Sequence, residues 1–251
     1  MSKIKFLALF LFTVAITAVL AIGCSEDTTT NNQGGQGNPP NINMQVGAVY
    51  TMNVDSIPQS GNPVHTILKT IHTYLSQGTY FGQSNVFQVR AVTQDSVAQT
   101  PIAIDTYYVR YDAGKFYQYG VLQLLDPAIN PTWDLVADFT VAQGTQWTIA
   151  NGVSISFVTG ATANIKAKIA ADTTFKTYGF GERDVNGYRS EITADIFLGP
   201  VQLGTVYVDY FIGDADPATN PSGLVRLRLR PINLTVYQAA GAQQNMQIWT
   251  P

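Results

Sequence analysis

The chain has 251 residues, only 12 % of them charged, with a net charge of −3, one cysteine and two histidines. A mildly acidic chain without a basic cluster has no electrostatic case for nucleic acid. One thiol excludes both a disulfide framework and a cysteine-built metal site, so apolar burial must hold the fold. The length suits one generous domain or two small ones.

The first element is apolar. Lys3 and Lys5 precede a run from Phe6 to Ile22 whose only polar side chains are Thr13 and Thr17. A basic start, an apolar segment and a small residue at the cut site make a secretory signal. As a helix this run spans about 25 Å, short of the roughly 30 Å hydrocarbon core, which favours removal over a permanent span. The stretch Leu20-Ala21-Ile22-Gly23-Cys24 resembles the lipobox of bacterial outer-membrane lipoprotein precursors. That resemblance implies a signal peptide over residues 1–23, a diacylglycerol group on the Cys24 sulfur, and cleavage before it. Gly23 is small enough to admit the peptidase; the family's leucine three residues before the cysteine is Ala21 here, with Leu20 one step further out. With each buried methylene contributing about 0.8 kcal/mol, two or three acyl chains make a stable membrane anchor. Ser25 stands where an aspartate would retain the protein at the inner membrane, implying outer-membrane delivery in a Gram-negative cell. Glu26-Asp27 resembles acidic signals for surface display, so the periplasmic and surface faces both stay open. Losing residues 1–23 removes two lysines and takes the net charge from −3 to −5.

Residues 24–45 are polar and rich in Thr, Asn, Gly and Pro. Without apolar periodicity they cannot repay the entropy of ordering, and they read as a disordered tether with a reach of roughly 25 Å.

From 46 to 251 a single antiparallel β domain is predicted. "AVYTMNV", "NVFQVRAVTQD", "IDTYYVRYD", "KFYQYG", "VSISFV", "ANIKAKIAAD", "SEITADIFLG", "GTVYVDYFI" and "GLVRLRLRP" alternate with period two between Gly, Pro, Asn and Asp punctuation. About eleven to thirteen strands at this spacing make an all-β sandwich or a half-open, strongly curved barrel. Residues 64–75 also carry a helical stripe, but their β-branched and tyrosine content favours a long strand. "VLQLLDP" reads as a helical turn ended by Pro127. A membrane-spanning barrel is disfavoured, because Arg226, Arg228 and Arg230 share a face and each costs about 2–4 kcal/mol at the bilayer midplane.

The stretch "YVDYFIGDADPATNPSGLVRLRLRP" resembles LolA/LolB-like and TapB-like β-rich envelope proteins. It implies a strongly curved antiparallel sheet with an apolar concavity; it does not imply a catalytic activity.

Few constellations carry chemistry. His65 and His72, seven apart, face opposite sides of a strand, so a histidine site would need the helix. Glu191 and Asp195 share a strand face with Arg189, as a glycosidase pair would, but such groups are commoner as a wet sheet face. Asp134 and Asp138 bracket "LVA" and carry no stronger case for catalysis. Asp214, Asp216 and Asn220 lack the glycine and glutamate of a calcium loop and read as a turn. Arg226, Arg228 and Arg230 suit cross-strand pairing with acids, or an anion site. The aromatic residues stand out. Tyr108, Tyr117, Tyr119, Trp133 and Trp147 are the candidate ligand-binding residues, able to stack sugars or line an apolar pocket. The expectation is a non-catalytic envelope lipoprotein that holds an apolar or glycan ligand on a curved sheet, without metal or cofactor. A surface adhesin or assembly subunit is the alternative, and a glycan hydrolase a more distant one.

Overall fold

A computed structural model describes residues 39–57, 64–170, 174–177, 183–213, 224–234 and 243–249. The signal segment, Cys24, residues 25–38 of the tether and the Asp214–Asn220 loop lie outside the described residues.

The described chain is all-β, as its alternation dictates. Its strands are β1 (Val49–Ile57), β2 (Val64–Tyr80), β3 (Gln83–Asp95), β4 (Pro101–Asp112), β5 (Lys115–Tyr119), β6 (Trp133–Asp138), β7 (Gln146–Ser154), β8 (Ala161–Ile169), β9 (Thr174–Thr177), β10 (Arg183–Leu198), β11 (Val201–Gly213), β12 (Leu224–Leu234) and β13 (Gln243–Trp249). The expected helical turn is a short 3-10 helix, Val121–Leu124. β8 shows the rule most plainly: Ala161, Ala163, Ile165, Ala167 and Ile169 are buried, and every residue between them is half-exposed. Residues 64–75 belong to the long strand β2. Its helical stripe loses because Thr70, His72 and Tyr74 bury with period two against β1 and β3.

The strand order is β6-β5-β4-β3-β2-β1-β13-β12-β11-β10-β8-β7, antiparallel throughout, with β9 extending β10. β1 to β6 form a six-stranded meander; β7, β8, β10 and β11 form a second sheet, and β12 and β13 bridge the two. The sheets pack face to face but do not close into a barrel. β6 and β7, at the two ends of the order, share no ladder. Side chains cross the gap instead. Trp147 Nε1 donates to the Leu135 carbonyl at 2.9 Å, and the Ser190 hydroxyl donates to the Val136 carbonyl.

The space between the sheets is filled. Tyr74, Tyr210, Ile165, Ile196, Val89, Val109 and Val136 are almost fully buried. The 3-10 helix presses Val121 and Leu122 towards Ile165, Ile192 and Val206, leaving a gap of about 20 Å³. That is room for a single water.

Polar groups inside are held by one another. The Tyr107 hydroxyl meets the Tyr50 hydroxyl at 3.0 Å and His72 Nδ1 at 2.9 Å, and the Tyr50 and His72 rings stack at 4.7 Å. Burial pushes the His72 pKa down to about 3 and, with Tyr50 and Tyr74 nearby, pushes the Tyr107 hydroxyl well up. Asp134 lies against the Leu122 and Val121 amides and accepts the Thr132 hydroxyl at 2.7 Å; burial outweighs these bonds and raises its pKa. Burial also opposes the Asp138 charge, but Thr140 and Lys115 (3.1 Å) overcome it and lower that carboxyl. Asp126 is buried and joins two loops, accepting the Ala128 amide at 2.9 Å, the Ser156 hydroxyl at 2.8 Å and the Ser156 amide.

Two outcomes follow from these buried groups. His72 has a folded pKa below its unfolded one, so the unfolded chain takes up the extra proton as pH falls below about 6.5. Stability then drops by up to about 1.4 kcal/mol per pH unit down to the folded value. Asp138 acts in the same direction at lower pH, and Asp134 opposes them. Urea titrations at pH 7 and pH 5 should show a marked loss for the wild type and a much smaller one for His72→Gln. Asp126→Ala should cost about 3 kcal/mol, because charge-assisted bonds to buried donors are lost together; its urea midpoint at pH 7 measures this.

Candidate aromatic binding face

Strand parity separates the aromatic residues of the N-terminal sheet into two sets. Val89, Tyr107, Val109, Phe116 and Gln118 point inward, and Gln118 meets the buried Tyr210 hydroxyl at 3.3 Å. The residues between them point outward. The pairing Ser76–Gln88–Tyr108–Tyr119–Trp133 draws one row across β2, β3, β4, β5 and β6. Four interstrand gaps make it roughly 19 Å long.

One end of this row is polar and the other aromatic. The Ser76 hydroxyl meets the Tyr80 hydroxyl at 2.7 Å and donates to Gln88 Oε1 at 3.1 Å. Gln88 Nε2 donates to the Tyr108 hydroxyl at 3.3 Å. Tyr108, Tyr119 and Trp133 are half-buried and continue the row, with the Tyr119 and Trp133 ring centroids 5.4 Å apart. Beside the row, the Arg110 guanidinium sits 4.6 Å over the Tyr117 ring while Nη1 donates to Gln83 Oε1 at 3.0 Å. That cation–π contact fixes a positive group on the same face.

Phe81 completes the face from a distance. It forms the tip of the β2–β3 hairpin with Gly82, at φ 49° and 75°. Two-residue hairpin turns of this handedness favour Asn-Gly or Asp-Gly. A bulky side chain in the left-handed region costs roughly 1–2 kcal/mol. The tip nevertheless reaches over the outer face: Phe81 stacks on Tyr119 at 3.9 Å and 3°, and meets Tyr108 edge-on at 4.9 Å. Its carbonyl accepts Trp133 Nε1 at 3.2 Å, and the residue remains 51 % exposed.

Four of the five sequence-predicted residues, Tyr108, Tyr117, Tyr119 and Trp133, therefore share one surface. Trp147 does not join them. It pairs with buried Ala167 on the inward side of β7, and its indole is committed to Leu135. Phe81, Tyr80, Gln88 and Arg110 were not among the predicted ligand-binding residues. The signal that could have found Phe81 is the pair Phe81-Gly82, an aromatic where a hairpin turn wants asparagine.

The remaining sequence candidates are dispersed. His72 and Asp134 are buried on the inner side, Asp138 is buried against Lys115 on the opposite face of the sheet, past the β6 bulge, and the His65 side chain lies outside the described residues. On the outer side of the second sheet Glu191 is paired with Lys168 at 2.9 Å. Asp195 accepts the Thr205 hydroxyl at 2.7 Å and Gln202 Nε2 at 3.2 Å. The ladder sets Arg226, Arg228 and Arg230 opposite Phe211, Asp209 and Tyr207. Among the described residues, no three His, Cys, Asp or Glu side chains come together as a metal site.

What the aromatic face can do chemically is bind. Its rings offer flat apolar surfaces, and its amides, hydroxyls and single guanidinium offer hydrogen bonds at the rim. No protein-family model, curated protein or solved structure matches the chain.

Proposed function

We propose that this chain is a cell-envelope lipoprotein, anchored through Cys24, whose β domain binds carbohydrate non-catalytically on the outer face of its N-terminal sheet. The observation that carries this reading is the row Tyr108–Tyr119–Trp133, capped by Phe81 and bordered by Ser76, Gln88 and Gln83. Sugar rings stack their C–H faces on aromatic side chains, and their hydroxyls need neutral donors and acceptors around the edge. Between an apolar and a glycan ligand, the gap of about 20 Å³ beside the 3-10 helix favours the glycan, since an acyl chain needs far more room than that site offers.

The path of the chain supports an anchored arrangement. The Tyr111 hydroxyl donates to the Pro40 carbonyl at 2.8 Å, so the start of the described chain rests near the β4–β5 turn. Tyr119 and Trp133 lie at the other end of β5, about 13 Å further along the strand. A membrane-bound tether would thus enter at one end of the sheet and leave the aromatic row towards the other. The outer membrane is the proposed address, from the lipobox-like stretch and Ser25.

An assembly or adhesin role rests on a different feature. β5 pairs with β4 only from Tyr108 to Asp112, so among the described residues Pro101–Tyr107 form an open edge, with Ile102 and Ile104 exposed. However, Pro101 heads that edge and Asp105 takes the Thr106 amide at 2.7 Å. Both are devices that blunt strand addition, which makes carbohydrate binding the preferred reading.

Isothermal titration against soluble oligosaccharides tests the proposal. Tyr119→Ala and Trp133→Ala should each weaken binding about 10- to 30-fold, the scale of losing one stacked anchor, while Trp147→Phe leaves it unchanged. Lack of binding by the wild type, or concentration-dependent self-association blocked by Ile104→Lys, would turn the assignment towards assembly. Intact-mass analysis of membrane-extracted protein should show Cys24 diacylated or triacylated; a bare thiol would remove the anchor.

A further inference from the structure

Resting on the carbohydrate reading, we infer that Phe81 is the protein's own occupant of a single sugar-ring subsite on Tyr119, and that the ligand displaces it. The Phe81 ring lies flat on Tyr119, at 3.9 Å and 3°, where the apolar face of a pyranose would lie. Tyr108 stands edge-on beside it at 4.9 Å, forming a wall that sets the width of the subsite. The Phe81 carbonyl takes the Trp133 indole N–H at 3.2 Å, filling the position of an oxygen acceptor on the ligand.

The tip is suited to leaving. Phe81 holds a left-handed backbone conformation that bulky residues avoid, so releasing it relieves strain. Its neighbour Gly82 stands in open space, since a Cβ there would meet nothing within 4 Å, so no packing at that residue holds the tip down. Phe81 as a residue is already half exposed to solvent. The ligand that fits has one flat C–H face for Tyr119 and a ring or hydroxyl oxygen positioned for Trp133 Nε1. Ser76 and Gln88, further along the row, would meet hydroxyls of the next sugar unit. The subsite therefore selects a chain of at least two neutral pyranose units running across the strands.

Displacement and clamping give opposite results. In a displacement mechanism the apparent affinity is reduced by the fraction of time the tip is closed; a tip closed nine-tenths of the time lowers it about tenfold. Phe81→Ala should therefore bind a panel of soluble glucose and N-acetylglucosamine hexasaccharides up to about tenfold more tightly than the wild type. Amide hydrogen exchange at residues 80–83 of the wild type should speed up when the best-bound hexasaccharide is added. Weaker binding by Phe81→Ala, or slower exchange at the tip on binding, would make Phe81 a clamp and overturn the inference while leaving the carbohydrate reading intact. Failure of both wild type and Phe81→Ala to bind any of the panel would overturn that reading, and this inference with it.

Discussion

A strand at the end of a sheet carries carbonyls with no neighbouring strand to bond them, and burying such groups unsatisfied is costly. β6 meets this constraint with side chains. Leu135 and Val136 receive hydrogen bonds from the Trp147 indole and the Ser190 hydroxyl, which arise from β7 and β10 of the facing sheet. The two sheets are thereby held together along a seam that has no ladder. Because the seam does not demand a matched register, the sheets can approach closely enough for the 3-10 helix and large side chains to fill the space between them. The interior serves cohesion.

That role explains why polar chemistry inside this protein reads as structural. The tyrosine and histidine cluster of Tyr50, His72 and Tyr107 is buried with its hydrogen bonds directed largely within itself. Asp126, Asp134 and Asp138 each bind backbone amides or hydroxyls of adjacent turns. Groups committed in this way hold loops in place, although His72 Nε2 and Asp134 Oδ2 are buried without a hydrogen-bond partner. On the outer side of the second sheet Glu191 faces Lys168 across the strands and Asp195 accepts from Thr205 and Gln202. The aromatic face differs from both. Its rings are half-exposed, and its polar atoms lie at the border of an apolar surface instead of beneath it.

Much of this was legible from period two and turn chemistry. The alternation in "ANIKAKIAAD" and "SEITADIFLG" identified strands and their buried faces, and Pro127 marked the end of the helical turn near Val121. β-branched residues resolved β2 against its helical stripe. Tyr108, Tyr117 and Tyr119 fall on one face because β4 and β5 are joined by a two-residue turn that fixes their register. Trp147 escaped the same logic. Its inward direction depends on pairing with Ala167, and β7 is interrupted by two register shifts that blur its alternation. Phe81 was missed for another reason: the Phe81-Gly82 pair flags an unusual hairpin tip but not where its ring goes. Nothing local says that a hairpin tip will bend across β4 to lie on β5, and the contact joins residues 38 positions apart in the chain. The pairing of β1 with β13, which joins the two ends of the body, is equally non-local.

The same tip bears on how an aromatic surface can be kept safely in water. Exposed rings in a continuous patch invite association, and beside a membrane they would also partition into the interfacial zone where Trp and Tyr accumulate. Stacking Phe81 on Tyr119 covers the middle ring of the row and occupies the Trp133 donor, so the uncovered aromatic area is smaller than the residue list suggests. The cost is a strained turn and one exposed phenylalanine. A fixed loop would hide the rings permanently, and an asparagine turn would not reach them. A two-residue tip bearing one ring is a small device that can protect the surface and still yield it to a ligand with more contacts to offer.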